Sequence, residues 1–287
     1  MGRRSLLLRI AVLAATALPL LLLDIGPGHA DSRLYHTFWD LGHPLVFGLL
    51  AWILLPLGIV RALILSVLAA AGVEGMQGLT GRTPSASDVL YSLAGALLVA
   101  GAVARVRAWR VGAFVVAAVA LLPLGRNLVD EIWMRVQFPV LIGAPDELSA
   151  SRWRQPPRTD VVAGQPAWWV RLQSRYDGVW LRHLVADWEG YDALAIHLQA
   201  SAPVTLTVRV DDRTHWLGGQ VWGDRYNHTR VVPAGDQTLR IPLADIRRSP
   251  ATRELNLSEV QSVYLFVPSD LPQPVSLRIL GIELVKE

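Results

Sequence analysis

Apolar residues dominate the first half of the chain, whereas apolar and polar residues alternate in the second half. A transmembrane helix needs about 17–25 predominantly apolar residues to cross the hydrocarbon core of a bilayer. Five apolar runs follow one another, at residues 6–23, 41–60, 62–79, 89–104 and 111–125. The pattern therefore predicts an α-helical membrane domain of about five transmembrane helices, which covers residues 1–125.

The first apolar run has two interpretations. Arg3 and Arg4 precede it, and Gly28-His29-Ala30 after it is similar to a signal-peptide cleavage site. The run is long for the apolar core of a signal peptide, and further membrane segments follow, so we favour an uncleaved helix. Both interpretations place the next loop outside the cytoplasm.

Arginines between the apolar runs predict the orientation, because cytoplasmic loops carry an excess of basic residues. With five spans, Arg61 and the basic cluster at 105–110 fall on the side of the N-terminus. The loops 24–40 and 80–87 fall on the opposite side with one arginine each. We expect a multi-pass protein of the bacterial cytoplasmic (inner) membrane, with a cytoplasmic N-terminus and an extracytoplasmic C-terminal domain.

The segment after the fifth run is amphipathic. Apolar residues recur at helical spacing opposite charged ones, which predicts an interfacial helix anchored by Trp133, with an ordinary connector as the alternative. We assign residues 126–150 to this helix and a linker.

Residues 151–287 show the period-two alternation of half-buried strands. Five short runs carry it, at 192–200, 203–212, 237–246, 260–267 and 275–285. The clearest case sets Leu206, Val208 and Val210 against the polar residues between them. Turn residues separate the runs, so the pattern predicts an all-β, antiparallel sandwich.

Composition excludes several classes of function. The chain has 27 basic and 24 acidic residues and a net charge of +3, and its arginines are scattered, so we expect no nucleic-acid partner. The absence of cysteine excludes disulfides, cysteine-ligated metals and cysteine nucleophiles. No phosphate-binding, dinucleotide-binding or nucleophile-elbow motif is present, so we expect no cofactor and no standard enzyme class.

The strongest candidate chemistry is a string of polar residues inside the apolar half. Ionisable groups are costly within a bilayer and rarely occur there without a partner or a task. Glu74 and Gln77 share one helix face, Arg82 follows in a loop, and Ser87 and Asp88 open the next apolar run. We expect Ser87 to cap that helix, and Arg82 to pair with Glu74 or Asp88.

This string, E-x-x-Q followed by G-R-x-x-S-x-x-D and Gly95-Ala96, resembles the VanZ-like family of small polytopic membrane proteins over about residues 6–125. Asp40, His43 and Phe47 stand near the positions of a second family pattern, from which this chain departs at Leu41 and Phe47. The resemblance implies a cell-envelope setting and a link to glycopeptide-antibiotic resistance, without an established reaction.

The polar residues have a structural and a functional interpretation. Glu74, Arg82 and Asp88 can form an ion-pair network that only holds the loop. Alternatively, Glu74 and Asp88 are candidate catalytic residues and the others bind a phosphate or a sugar; the binding candidates are Asp40, His43, Gln77, Arg82 and Ser87. A metal site from His36, Asp40 and His43 is conceivable, but we expect none.

The second half resembles galactose-binding-like jelly rolls of the carbohydrate-binding-module type over about residues 160–287. Asp187-Trp188-x-Gly190-Tyr191 and the stretch Gln237–Leu243 carry most of this likeness. Trp180 and Trp188 are expected in the core, and loop aromatics and polar residues form the glycan-binding candidates: Asp212, Arg213, Trp216, Trp222, Arg225, Tyr226 and Asn227.

Together these features predict an envelope membrane protein whose outer β-sandwich binds glycan or envelope components, with a role in envelope maintenance or glycopeptide resistance. The alternative is a membrane enzyme that acts on a lipid-linked glycan or a peptidoglycan precursor through Glu74 and Asp88. The expected partners are the lipid bilayer and a glycan or lipid-linked glycan. Five spans without repeats, and polar residues near one face, argue against a transporter.

Overall fold

A computed structural model describes residues 9, 11–13, 15, 33–79 and 84–286. The chain divides into two compact units, Met1–Leu128 and Val129–Glu287. The helices are α1 (Arg33–Asp40), α2 (Gly42–Leu54), α3 (Ile59–Leu79), α4 (Ala86–Val103), α5 (Arg107–Gln137), α6 (Arg213–Leu217) and α7 (Leu243–Arg248).

Within the described residues, four helical segments are long and apolar enough to cross a membrane: His36–Leu57, Ile59–Leu79, Ala86–Val103 and Arg107–Gln137. They correspond to the second to fifth predicted spans. The first predicted span, residues 6–23, lies almost entirely outside the described residues.

The fifth apolar run does not end its helix at Gly125. Helix α5 continues through Pro123 to Gln137 as one element of 31 residues. At a rise of about 1.5 Å per residue, this helix is longer than the hydrocarbon core of a bilayer, which is about 30 Å thick. The polar residues after the apolar run can therefore belong to the same helix. The structure therefore differs from the separate interfacial helix expected at residues 126–142.

Small residues let α2 and α4 approach each other closely in the first unit. A Cβ atom built on Gly95 would lie 2.0 Å from the carbonyl oxygen of Pro44, and one built on Gly48 would lie 3.2 Å from the carbonyl oxygen of Gly95. Contacts of this kind are common where helices pack in membranes. The close approach positions the N-terminal ends of α2 and α4 side by side.

The second unit contains ten strands in two antiparallel sheets. The strands are β1 (Val140–Ile142), β2 (Arg158–Val162), β3 (Gln165–Leu172), β4 (Gly178–Leu181), β5 (Ala193–Ala200), β6 (Val204–Asp212), β7 (Tyr226–Val232), β8 (Gly235–Pro242), β9 (Val260–Phe266) and β10 (Val275–Val285). One sheet runs β2-β3-β10-β5-β8, with β1 also paired to β10; the other runs β4-β9-β6-β7.

A single hydrophobic core takes side chains from both sheets. Ile196 and Ile279 of the six-stranded sheet and Val208 and Val263 of the four-stranded sheet are fully buried in it. The unit is therefore a two-layer β-sandwich, as expected from the alternating pattern. Alternation along β6 directs Val208 into this core and Thr207 and Arg209 to the opposite, outer face of the four-stranded sheet.

Candidate functional sites

His43, Glu74 and Asp88 converge at one end of the helical unit, where α2 and α4 begin and α3 ends. One ligand atom from each residue lies within 4.8 Å of the other two. The Nε2 atom of His43 is 3.5 Å from Oδ2 of Asp88. His43 and Glu74 are buried, and Asp88 is half-buried, so the cluster lies inside the packed helices.

Neighbouring serines bind two members of this cluster. The backbone N–H of Ser85 donates to Oε2 of Glu74 at 2.7 Å. The hydroxyl of Ser92 lies 3.4 Å from Nδ1 of His43 and donates to the carbonyl oxygen of Asp88 at 2.7 Å. These contacts restrict the orientation of the imidazole and of one carboxylate.

Ser85, rather than Ser87, occupies the cap position at the start of α4. Its backbone is extended, and its side chain makes no capping hydrogen bond but contacts the Ser87 hydroxyl at 2.5 Å. The expectation for Ser87 was wrong by half a turn, because the helix begins at Ala86 and already includes Ser87.

The other predicted membrane-site residues have different positions. Gln77 is buried in α3, one turn beyond Glu74, and Asp40 is the half-buried last residue of α1. Arg82 lies outside the described residues. The metal-compatible grouping found among the described residues is His43 with Glu74 and Asp88, and it does not include His36 or Asp40.

The second candidate site is the outer face of the four-stranded sheet in the β-sandwich. Trp180 on β4 stacks on Tyr264 of β9 with ring centroids 5.2 Å apart. Tyr264 stacks in turn on Phe266 at 4.6 Å. Trp180 and Tyr264 are half-buried, so their rings retain surface that a ligand can reach.

Guanidinium groups surround this aromatic row. Arg154, which is exposed, lies 4.5 Å from the ring centroid of Trp180, and Arg209 lies 5.5 Å from it. Arg182 lies 4.7 Å from the ring of Trp216, which is itself 6.2 Å from Trp180. The face therefore combines flat apolar rings with fixed hydrogen-bond donors.

Burial makes the charged form of several of these arginines unfavourable. It lowers the pKa of Arg182, and burial followed by repulsion from Arg209 lowers the pKa of Arg225 to about 10. Arg209 is balanced by Asp211, whose Oδ2 accepts from Arg209 Nε at 2.7 Å. A negatively charged group beside Arg182 and Arg225 would stabilise both cations.

Beneath the face lies a network of buried carboxylates. Asp211 accepts from the indole N–H of Trp216 at 2.7 Å and from the hydroxyl of Ser262 at 2.9 Å. Asp212 accepts two hydrogen bonds from Arg253, at 2.6 and 2.7 Å. Burial alone would raise the pKa of Asp212, but the bonds from Arg253 and from two backbone N–H groups outweigh it and lower that pKa.

The structure separates the predicted glycan-binding residues into two groups. Asp212 and Tyr226 lie in the interior, where burial raises the pKa of the Tyr226 phenol to about 12, so a ligand cannot touch them. The remaining residues are found on or beside the outer face or in the nearby loop: Arg213, Trp216, Trp222, Arg225 and Asn227.

Sequence reasoning missed the centre of this face. Trp180 was expected in the core, but the core positions of β4 are Val179 and Leu181, and alternation places Trp180 on the outer side. Trp188 is fully buried, as expected. The sequence did indicate this outer face, because the polar residue Arg209 lies between the apolar residues Val208 and Val210.

Comparisons with known proteins identify distant structural similarity in the β half. No family model matches the chain, and no curated protein matches it. A family 11 carbohydrate-binding module from Clostridium thermocellum, in complex with a β-1,3-1,4-mixed-linked tetrasaccharide, is 12% identical, with 45% of this chain and 82% of that chain covered and a TM-score of 0.36. A family 30 module of a cellulosomal cellulase from the same organism is 15% identical, with 52% and 93% covered and a TM-score of 0.35.

Similarity at these TM-scores carries no argument about ligand or family. A shared fold does not determine which ligand a domain binds. The VanZ-like resemblance of the first half stays a prediction based on its motif.

Proposed function

We propose that this chain is a VanZ-like protein of the bacterial cytoplasmic membrane whose β-sandwich lies outside the cytoplasm and binds glycan of the cell envelope. The four membrane-compatible helices of the described residues support the membrane assignment. The arginine distribution supports the orientation. We further propose that the protein acts in envelope maintenance or glycopeptide resistance.

The observation that carries the glycan proposal is the stacked pair of Trp180 and Tyr264 on the outer face, with the buried Phe266 stacked on Tyr264. Sugar rings present apolar C–H faces that pack on aromatic rings, while their hydroxyls take hydrogen bonds from neighbouring donors. Arg154, which is exposed, supplies such donors 4.5 Å from the Trp180 ring centroid.

The charge of the face favours an acidic glycan. Arg154 and Arg182 lie beside its aromatic rings, and burial lowers the pKa of Arg182. A ligand carboxylate can form a bidentate pair with a guanidinium. Peptidoglycan, whose stem peptides carry free carboxylates, fits this requirement better than a neutral polysaccharide.

Binding of the purified 287-residue chain to peptidoglycan sacculi tests the proposal. The chain, held in lipid nanodiscs, is incubated with sacculi and sedimented, and chitin serves as the neutral comparison. We expect Trp180→Ala and Arg154→Ala each to weaken binding to sacculi at least tenfold, which corresponds to about 1.4 kcal/mol. Chitin should bind more weakly than sacculi.

Trp169→Ala is the matched control. Trp169 is a half-buried tryptophan on β3 of the other sheet, and Arg158 lies 5.5 Å from its ring. The proposal predicts that this variant binds sacculi as the wild type does. Equal losses in the Trp169 and Trp180 variants, or no binding by the wild type, would contradict it.

The alternative function is a membrane enzyme acting on a lipid-linked glycan or peptidoglycan precursor. The observation that favours it is the convergence of His43, Glu74 and Asp88 within 4.8 Å. Two carboxylates and a histidine at one membrane face can serve as acid and base or bind a headgroup. Turnover of a lipid-linked sugar that is lost in Glu74→Gln would favour this alternative.

A further inference from the structure

We propose that His43, Glu74 and Asp88 form a binding site for one divalent transition-metal cation. The site belongs to the helical unit, so this inference does not depend on glycan binding by the β-sandwich. It departs from the expectation that the chain holds no metal.

The distance between the donor atoms of His43 and Asp88 fits a common cation, and a Glu74 oxygen lies within 4.8 Å of both. Zn²⁺ binds nitrogen and carboxylate oxygen at about 2.0–2.2 Å, so two ligands of a tetrahedral ion lie about 3.4 Å apart. The distance of 3.5 Å between Nε2 of His43 and Oδ2 of Asp88 agrees with this value. A direct charge-assisted hydrogen bond would be shorter, at about 2.7–2.9 Å.

The contacts of Ser92 favour the tautomer of His43 that can bind a metal through Nε2. The Ser92 hydroxyl donates its proton to the carbonyl oxygen of Asp88, so it can only accept from Nδ1 of His43. In a neutral imidazole this arrangement puts the proton on Nδ1 and leaves the lone pair of Nε2 directed at the site. Nε2 then faces a carboxylate oxygen, and a cation between the two acceptors would stabilise both.

The charge of the cluster matches a divalent cation. Glu74 is 6% exposed and Asp88 is half-buried. Burying two carboxylates in low dielectric is unfavourable unless the charge is compensated. A divalent cation at the cluster would supply charge of the opposite sign to these two carboxylates.

The residues around the cluster and the chemical types of its donor atoms also fit a transition-metal cation. Metal-bound histidines usually pair their second ring nitrogen with an outer group, which Ser92 provides, and the Ser85 N–H group orients Glu74. One imidazole with two carboxylates suits Zn²⁺, Mn²⁺ or Fe²⁺ better than Mg²⁺, which prefers oxygen ligands alone. Three protein ligands would leave a coordination position open.

Zn²⁺ alone is the probe for the test. The chain is purified without a histidine tag, stripped with a chelator, incubated with Zn²⁺ in nanodiscs and gel-filtered, and zinc per chain is measured by mass spectrometry. We expect about one Zn²⁺ per wild-type chain. His43→Gln, Glu74→Gln and Asp88→Asn should each lower the affinity at least tenfold.

Two comparisons exclude other sources of zinc. His36→Gln removes the histidine of the other grouping considered from the sequence, and His228→Gln removes an exposed histidine of the β-sandwich; both should keep wild-type binding. A zinc absorption-edge spectrum of the wild type, which needs no variant to fold, should show a first shell of nitrogen and oxygen at about 2.0–2.1 Å.

The proposal is overturned if the wild type retains no zinc, because an ion-pair network alone then accounts for the cluster. It is also overturned if zinc binding survives His43→Gln or is lost in His36→Gln. Sacculus binding is measured on the same preparations, so loss of the metal site and loss of glycan binding are read independently.

Discussion

Replacing Gly95 by alanine should separate the two helices that carry His43 and Asp88. The new Cβ would lie 2.0 Å from the carbonyl oxygen of Pro44 and 2.6 Å from its carbonyl carbon. Non-bonded heavy atoms are at their optimum about 3.5–4.0 Å apart, so the two backbones must move apart by about 1.5 Å. Both clashing atoms are backbone, and no side-chain rotation can relieve the contact.

Overpacking should lower the free energy of unfolding by about 1–3 kcal/mol. The better helix propensity of alanine, worth about 1 kcal/mol, should offset part of this loss. A shift of this size would also stretch the distance of 3.5 Å between His43 and Asp88. We therefore expect Gly95→Ala to lower the midpoint of thermal inactivation and to weaken zinc binding at least tenfold. The monodisperse fraction after heating, measured by gel filtration in detergent, reports the midpoint.

Gly72→Ala is the control for this prediction. Gly72 lies on α3, and a Cβ built there meets nothing within 4 Å. This variant should be as stable as the wild type or more so, by up to about 1 kcal/mol. A wild-type midpoint for Gly95→Ala, or an equal fall for Gly72→Ala, would refute the reasoning from helix separation.

Two further predictions concern the second unit. Asp130→Asn should lower the free energy of unfolding by about 3–5 kcal/mol, because it leaves the fully buried Arg152, 2.9 Å away, without its carboxylate. Glu131→Gln should lower it by under about 1 kcal/mol, because its partner Arg135 is mostly exposed. Urea unfolding measures both. Similar urea midpoints for the two variants would contradict this. Burial lowers the pKa of His215 in the folded state. The stability that the neutral imidazole contributes is therefore complete above about pH 6.5, the pKa of an unfolded chain, and is lost as the pH falls through the lower folded pKa. The urea midpoint should fall from pH 7 to pH 5 in the wild type and less in His215→Gln, and parallel pH profiles would refute this.

Local periodicity predicted the elements that alternate cleanly. The run at 203–212 forms β6 at Val204–Asp212, and the run at 275–285 forms β10 with the same bounds. Five strands lie outside the predicted runs: β1, β2, β3, β4 and β7. The short strands β2 and β4 have too few residues for a clear period, and their register depends on β3 and β9, which pair with them. The end of α5 was misjudged because loss of apolar character does not by itself end a helix.

The candidate sites show where sequence reasoning stops. Spacing within one segment placed Glu74 and Asp88 at the same end of neighbouring helices, but their contacts with Ser85 and His43 depend on helix packing. Asp212 looked like a ligand-binding acid because it ends a strand just before a segment rich in aromatic residues. Its partner, Arg253, is 41 residues away along the chain.

The claim that a membrane protein displays a glycan-binding face outside the cytoplasm is tested most directly with oriented vesicles. Right-side-out and inside-out membrane vesicles that contain the chain are incubated with soluble, fluorescent peptidoglycan fragments. The account predicts that right-side-out vesicles bind the fragments, that Trp180→Ala removes this binding, and that inside-out vesicles bind none. Equal binding by both orientations, or binding that survives Trp180→Ala, would contradict it.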